Sequence, residues 1–140
     1  MYEFIQKAHS GVAYLALLLL VIAAVNSLVG NFSKKEFSST DRKIALFGLI
    51  GTHTQLLIGF ILYFISPLGF SALGQMSEKS LRLTSLEHPL INIIAVVLIT
   101  IGWSKHKKLT TGTSKFKTVS VFYGIGLLLI LSRIPWKLWF

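Results

Sequence analysis

The sequence predicts an all-α integral membrane protein, an antiparallel up-down transmembrane bundle of four helices. Hydrophobic residues make up 53% of the 140 residues, whereas charged residues make up 14% and cluster between long apolar runs. The mean hydropathy is +0.69, and a helix needs roughly 20 apolar residues to cross a hydrocarbon core about 30 Å thick. Backbone groups in lipid must be satisfied within the segment, so these runs are expected to be helices.

We predict spans at residues 8–29, 43–65, 84–104 and 118–134. These spans and their connectors use the whole chain, so we expect a single transmembrane domain over residues 1–140 and no soluble domain. Short connectors favour antiparallel neighbours in sequence order. The first and third spans would then lie on a diagonal of the bundle.

The first span follows an N-terminal stretch that differs from a signal peptide. Residues 1–10 contain Glu3, Lys7 and His9, and the apolar run after them is long. We therefore expect a retained first helix. At helical spacing His9 shares a face with small residues, as in closely packed membrane helices, and Leu20 is the exception on this face. The small residues are Ala13, Ala16, Ala23 and Ser27.

The second span follows a connector rich in serine and basic residues. Thr40 or Asp41 is expected to cap its helix, and Pro67 is expected to lie beyond its end. A stripe of small and polar residues predicts a face that packs within the bundle: Gly48, Thr52, Gln55 and Gly59. His53 lies about 200° around the helix from Gln55. The second helix therefore has two faces that are not purely apolar.

The third span carries a stripe at helical steps of four and three residues, which we expect to point into the bundle. Its members are His88, Asn92, Ala95, Ile99, Gly102 and His106. His106 also lies in a run of serine and lysine residues, so it is expected to be a solvated loop residue. Pro135 is expected to end the fourth helix, and Trp136 and Trp139 suit an interfacial aromatic belt.

The formal net charge of +9 comes mainly from the first and third connectors, and the chain has no cysteine. Without cysteine, disulfides, c-type haem attachment, Fe–S clusters and thiolate zinc sites are excluded within this chain. The positive-inside rule predicts a multi-pass protein of the bacterial inner membrane, with these connectors in the cytoplasm and both termini in the periplasm. Lipid headgroups explain the basic loops, so we expect the bilayer as a partner and no nucleic acid.

Three histidines lie inside or at the rim of the predicted spans: His9, His53 and His88. An ionisable side chain in a membrane usually faces the bundle interior and has a function there. Imidazole is a common ligand of haem iron. His9 and His88 are expected at a similar depth, with His53 nearer the middle. We predict haem b held by His9 and His88, or alternatively by His53 and His88, with Arg133 and Arg82 near the haem propionates.

A haem at this position predicts electron transfer in the membrane, with a quinone as a candidate partner. Two alternatives stay open. All three histidines, with Glu87, can instead form a copper or other metal site in transport or oxidase assembly. The chain can also be a cofactor-free accessory subunit of a larger respiratory or membrane complex, or a homodimer. A stand-alone enzyme is less expected, because no serine, cysteine or carboxylate-pair arrangement typical of catalysis is visible.

Four segments carry a further signal: EFIQKAHSGVAYL, HTQLLIGFILYFISP, EHPLINIIAVVLITIGWSKHKK and LLLILSRIPW. They resemble a family of small four-helix membrane proteins of Bacteroidetes labelled cytochrome B, over nearly the full chain. Three histidine motifs of the family map onto His9, His53 and His88, and His106 matches none. The label of the family implies haem b. A weaker likeness to one half of heme A synthase, a bundle with bis-histidine haem, rests on Glu3-Phe4 and His9.

Overall fold

The computed structural model describes residues 1–139, and within them every regular element is helical. The α-helices are α1 (Tyr2–Ser33), α2 (Ser39–Ile65), α3 (Lys79–Arg82), α4 (His88–Lys107), α5 (Gly112–Ser132) and α6 (Trp136–Trp139). A 3-10 turn covers Phe70–Ala72, and a π-helical turn over Leu83–Glu87 joins α3 to α4. No strand occurs in the described part of the chain. The predicted all-α fold class is confirmed.

Four helical stretches are long and apolar enough to cross a membrane: Tyr2–Ser33, Ser39–Ile65, Lys79–Lys107 and Gly112–Ser132. The protein is therefore a multi-pass membrane bundle. α1 packs against α2 and α5, and α4 packs against the same two helices. The pairs α1–α4 and α2–α5 consequently lie on the two diagonals, as packing in sequence order predicts.

The bundle has two ends that differ in composition. The lysine end comprises residues 31–43 and 104–118, which connect α1 to α2 and α4 to α5. The histidine end comprises the start of α1, the end of α2, the start of α4 and the end of α5, and it contains His9 and His88. Because consecutive helices are antiparallel, the N-terminus and the C-terminal end of α5 lie together at the histidine end.

Small residues bring the helices close together in the half of the bundle nearest the lysine end. A Cβ added to Gly48 of α2 would lie 3.2 Å from the Cβ of Ala23 in α1. The buried Tyr123 of α5 donates its hydroxyl to the Ala45 carbonyl of α2 at 2.8 Å, along one diagonal. The predicted inward faces of the first and third spans are buried along the bundle, at Ala16, Leu20, Ala23, Ser27, Ala95, Ile99 and Gly102.

The cap of α2 differs from the prediction of Thr40 or Asp41. Ser38 is the N-cap, and its Oγ accepts from the Asp41 amide at 3.3 Å. Asp41 occupies the third helical position, where its Oδ2 accepts from the Ser38 amide at 2.9 Å. The prediction was wrong because the aspartate reaches back to the cap instead of serving as the cap.

His106 is buried rather than solvated, with 1% of its surface exposed. The expected loop is wrong because α4 continues to Lys107, which carries His106 around to the inward face. Phe37 and Trp103 then cover the ring. By contrast, α5 ends at Ser132, in agreement with a stop before Pro135.

Candidate functional site

At the histidine end the helices separate and border a half-open cavity of about 500 Å³. Small-molecule and cofactor sites typically occupy about 300–1,000 Å³ and combine apolar walls with a few polar groups. The walls here are mainly leucine, isoleucine, alanine and aromatic side chains from all four spanning helices. The polar side chains among them include His9, Ser10, Thr52, Gln55, Tyr63, His88 and Asn92.

His9 and His88 face each other across the α1–α4 diagonal. Their ring centroids are 6.2 Å apart, and the ring planes are nearly perpendicular at 86°. Imidazole nitrogens bind metal ions at about 2 Å, so two imidazoles on opposite sides of one ion would have centroids roughly 6 Å apart. The observed separation fits that arrangement.

His88 is held in a defined tautomer. Its Nδ1 lies 3.0 Å from the carbonyl oxygen of Arg133. A carbonyl only accepts, so this contact places the proton on Nδ1 and the lone pair on Nε2. Asn92 Nδ2 also lies 3.2 Å from Nδ1, but this amide has a closer acceptor in the His88 carbonyl. Metal-binding histidines commonly donate their second N–H in this way. Asn92 Nδ2 donates to the His88 carbonyl at 2.7 Å and supports the same turn of α4.

The chain immediately before His88 is also unusual. The π-helical turn Leu83–Glu87 precedes it, and Pro89 follows it in the first turn of α4. Single π turns within helices occur frequently at functional sites. The carbonyl of Ser85, inside this turn, accepts the Tyr63 hydroxyl at 2.9 Å. This bond ties α2 to the segment that positions His88.

His9 has a buried ring nitrogen without a hydrogen-bond partner among the described residues, namely Nδ1. Gln55 Nε2 donates to the His9 carbonyl at 2.8 Å, whereas Gln55 Oε1 is buried and unpartnered within the same described chain. A Cβ added to Gly59 would lie 3.2 Å from His9 Cε1, so glycine leaves space for the ring. Buried polar atoms are normally satisfied, so these atoms beside a cavity are available to water or to a ligand.

Arg82 and Arg133 lie at the rim, where both contact one carboxylate. Arg82 Nε is 3.0 Å from Glu87 Oε2, and Arg133 Nε is 3.7 Å from Glu87 Oε1. Neither arginine is among the described residues that line the cavity. The three side chains carry a net charge of one positive unit next to His88, and Glu87 already occupies both guanidinium groups.

His53 lies apart from the other two histidines. It is exposed on α2, and its Nε2 lies 2.9 Å from Thr100 Oγ1 of α4. Thr100 donates its hydroxyl to the Val96 carbonyl at 2.7 Å, so it accepts from His53. Thr100 is about 18 Å from His88 along α4. The structure therefore brings His9 and His88 together and does not bring His53 to them.

The three-histidine metal arrangement is likewise not assembled. Over residues 1–139, no group of three or more histidine, cysteine, aspartate or glutamate side chains is placed to hold a metal ion. Gln55 and Asn92 join the site instead, and the sequence marked both only as members of inward faces. The Arg133 carbonyl and the Tyr63 hydroxyl carried no sequence signal, because their roles depend on the π turn and on the end of α5.

The site thus combines an apolar cavity, two facing imidazoles and an unpartnered ring nitrogen. Two histidines that line one cavity at this separation suit a ligand that carries its own metal ion. No family model, curated protein or solved structure matches the chain.

Proposed function

We propose that this protein binds b-type haem between His9 and His88 and transfers electrons in the membrane. The observation that carries the proposal is that both rings line the cavity with their centroids 6.2 Å apart. When bound, haem would supply one-electron redox chemistry. The resemblance to small membrane proteins labelled cytochrome B supports the same cofactor.

The side chains of this protein would position and tune such a cofactor. The Arg133 carbonyl fixes the His88 tautomer, which leaves Nε2 as the ligand atom. Gln55 anchors the backbone at His9. The walls of the cavity are mainly apolar, and burial against such walls affects the reduction potential of haem. Arg82 and Arg133 are the candidate partners of propionates, which would compete with Glu87 for them.

We also propose the bacterial inner membrane as the location, with both termini periplasmic. Nine of the fourteen lysines and arginines lie at the lysine end: Lys34, Lys35, Arg42, Lys43, Lys105, Lys107, Lys108, Lys115 and Lys117. The positive-inside rule assigns this end to the cytoplasm. The haem would then lie in the periplasmic half, and its redox partner would be a membrane-soluble carrier such as a quinone, or a subunit of a membrane complex.

Absorption spectroscopy of the protein purified in mild detergent tests the proposal. We expect a reduced-minus-oxidised spectrum of b-type haem, about one haem per chain, and the low-spin ferric signal that two imidazole ligands would give. His9→Ala and His88→Ala should each abolish the low-spin signal. His53→Ala is the matched control and should retain it.

Three outcomes would overturn the proposal. A colourless protein with stoichiometric copper or zinc would favour the metal-site alternative. A colourless, metal-free protein that co-purifies with larger subunits would favour the accessory-subunit alternative. A haem signal that survives His88→Ala but not His53→Ala would show that the wrong pair had been assigned.

A further inference from the structure

A second pocket, of about 320 Å³, lies at the lysine end and has a very different character. Its lining consists of polar, basic and aromatic residues: Phe37, Ser38, Ser39, Arg42, His106, Lys107 and Lys115. Within the described chain, no acidic side chain lines it. The pocket thus collects positive charge at a level where the spanning helices end.

Three aromatic rings form one wall of this basic pocket and its surroundings. The His106 ring centroid lies 5.4 Å from that of Phe37 and 4.6 Å from that of Trp103. His106 Nδ1 donates to the Trp103 carbonyl at 2.5 Å, so Nε2 carries the lone pair. These contacts fix a buried imidazole in the pocket wall, although it lies within a lysine-rich run.

The aromatic rings also orient three cations from three different segments. The Arg42 guanidinium lies 5.1 Å from the Trp103 ring centroid, and the Lys107 ammonium lies 5.7 Å from the same centroid. The Lys115 ammonium lies 5.6 Å from the Phe37 centroid. Cation–π contacts at these distances are attractive. They hold the start of α2, the end of α4 and the start of α5 around one positively charged space.

The acidic residues of the lysine end do not neutralise this space. Asp41 is 2% exposed and is already engaged by Lys35 Nζ at 3.2 Å, Asn26 Nδ2 at 3.0 Å and the Ser38 cap. Glu36 is exposed and does not line the pocket. The cations of the pocket are therefore left without a carboxylate partner inside it, and an anion would relieve their mutual repulsion.

We propose that the basic pocket binds the phosphate group of an anionic phospholipid. Arginine and lysine are strong phosphate donors. Ser39 adds a first-turn amide of α2, which has no intrahelical acceptor and points toward the positive end of the helix dipole. The pocket opens where membrane helices end, which is the level of lipid headgroups. Basic pockets on the cytoplasmic side of membrane helices are established headgroup sites.

Lipid titration of the delipidated protein in detergent tests this proposal. Short-chain phosphatidylglycerol should raise the thermal unfolding temperature and remain bound in native mass spectrometry. Phosphatidylcholine, which has the same phosphate but no net charge, should do neither at the same concentration. Equal stabilisation by inorganic phosphate would overturn the assignment to a lipid, because it would identify phosphate alone as the ligand.

Two double variants separate the pocket from general surface charge. Arg42→Gln/Lys115→Gln removes two cations from the lining, and we expect phosphatidylglycerol to bind at least about tenfold more weakly, since two charge-assisted hydrogen bonds to the phosphate would be lost. Lys43→Gln/Lys117→Gln removes the same charge from two exposed positions at this end, and binding should change by less than about threefold because exposed charges are screened. Equal losses in both variants would refute a specific site.

A third variant guards against a folding defect in the first. If Arg42→Gln/Lys115→Gln does not fold, the single substitution Lys107→Gln removes the third lysine or arginine of the lining and leaves the other two in place. It should still weaken lipid retention relative to the single substitution Lys43→Gln. Unchanged retention in Lys107→Gln would count against the pocket. The proposal does not depend on haem, so a colourless protein leaves this test intact.

Discussion

The two diagonals of the bundle are used in opposite ways. In the half nearest the lysine end, Tyr123 crosses the α2–α5 diagonal and contacts Ala45 directly, with a hydrogen bond of 2.8 Å. In the half nearest the histidine end, His9 and His88 cross the α1–α4 diagonal without a direct hydrogen bond between them, and their rings border a cavity of about 500 Å³. The α2–α5 diagonal is bridged by a direct side-chain contact, whereas the α1–α4 diagonal borders a cavity lined by two histidines.

The difference shows how a short chain can combine close helix packing in one half with a cavity in the other. Membrane helices associate through close packing of small residues and interhelical hydrogen bonds, because lipid offers no hydrophobic driving force between helices. The lysine-end half satisfies this requirement with glycine and alanine contacts and the buried Tyr123. A cavity removes packing contacts between helices. The histidine-end half can hold one because the other half of the bundle supplies close helix contacts.

The largest stability difference is expected between two matched isoleucine substitutions. Ile99 is fully buried in the packed core, whereas Ile134 is 9% exposed and lines the cavity. Ile99→Ala should lower the free energy of unfolding by about 2–5 kcal/mol, because it creates a new void. Ile134→Ala should lower it less, since it enlarges an existing space. Unfolding by SDS titration of the ligand-free protein in mixed micelles measures both. Equal losses would mean that the two halves do not differ in packing.

A second pair tests the close approach of α4 and α5. A Cβ added to Gly126 would lie 2.7 Å from Ile99 Cγ1, whereas one added to Gly124 of the same helix meets nothing within 4 Å. Gly126→Ala should therefore lower the free energy of unfolding by about 1–3 kcal/mol through overpacking. Gly124→Ala should be neutral or stabilising by up to about 1 kcal/mol, because alanine is the better helix former. The same SDS titration applies, and a stable Gly126→Ala variant would contradict the proposed tight contact.

The sequence was sufficient to predict these faces but not the ends of the helices. Ala95, Ile99 and Gly102 follow helical spacing, and their burial needed no knowledge of partners. His106 extends the same series, yet its lysine neighbours indicated a loop. Local composition was misleading there because charged side chains can extend into water from the last turn of a helix whose other face is buried.

The site was predictable in part for a related reason. Estimated depth and the diagonal arrangement brought His9 and His88 together, because both follow from helical rise and short connectors. The acceptor for His88 Nδ1 is the Arg133 carbonyl, and backbone atoms of distant residues leave no trace in a sequence. The role of His53 was equally hidden, since its partner Thr100 belongs to another helix.

The hydrogen bond that closes the α2–α5 diagonal should have a moderate effect. Tyr123→Phe removes the hydroxyl but keeps the ring, so the Ala45 carbonyl loses its buried donor. We expect a loss of about 0.5–1.5 kcal/mol in the free energy of unfolding. An unchanged Tyr123→Phe variant would show that this bond does not contribute to closing the diagonal.

The smallest expected effect belongs to the histidine outside the cavity. His53→Ala removes the 2.9 Å bond to Thr100, and interhelical hydrogen bonds in membranes average about 0.6 kcal/mol. A double-mutant cycle with Thr100→Val should return a coupling of that size, while the haem spectrum stays unchanged. The stability change and the spectrum report different things: the first measures the contact between α2 and α4, and the second measures the ligand pair. Loss of the spectrum in His53→Ala, with the stability retained, would assign the proposed ligand role to His53. The α1–α4 opening would then no longer define the site, and the distinction between the two diagonals would be lost.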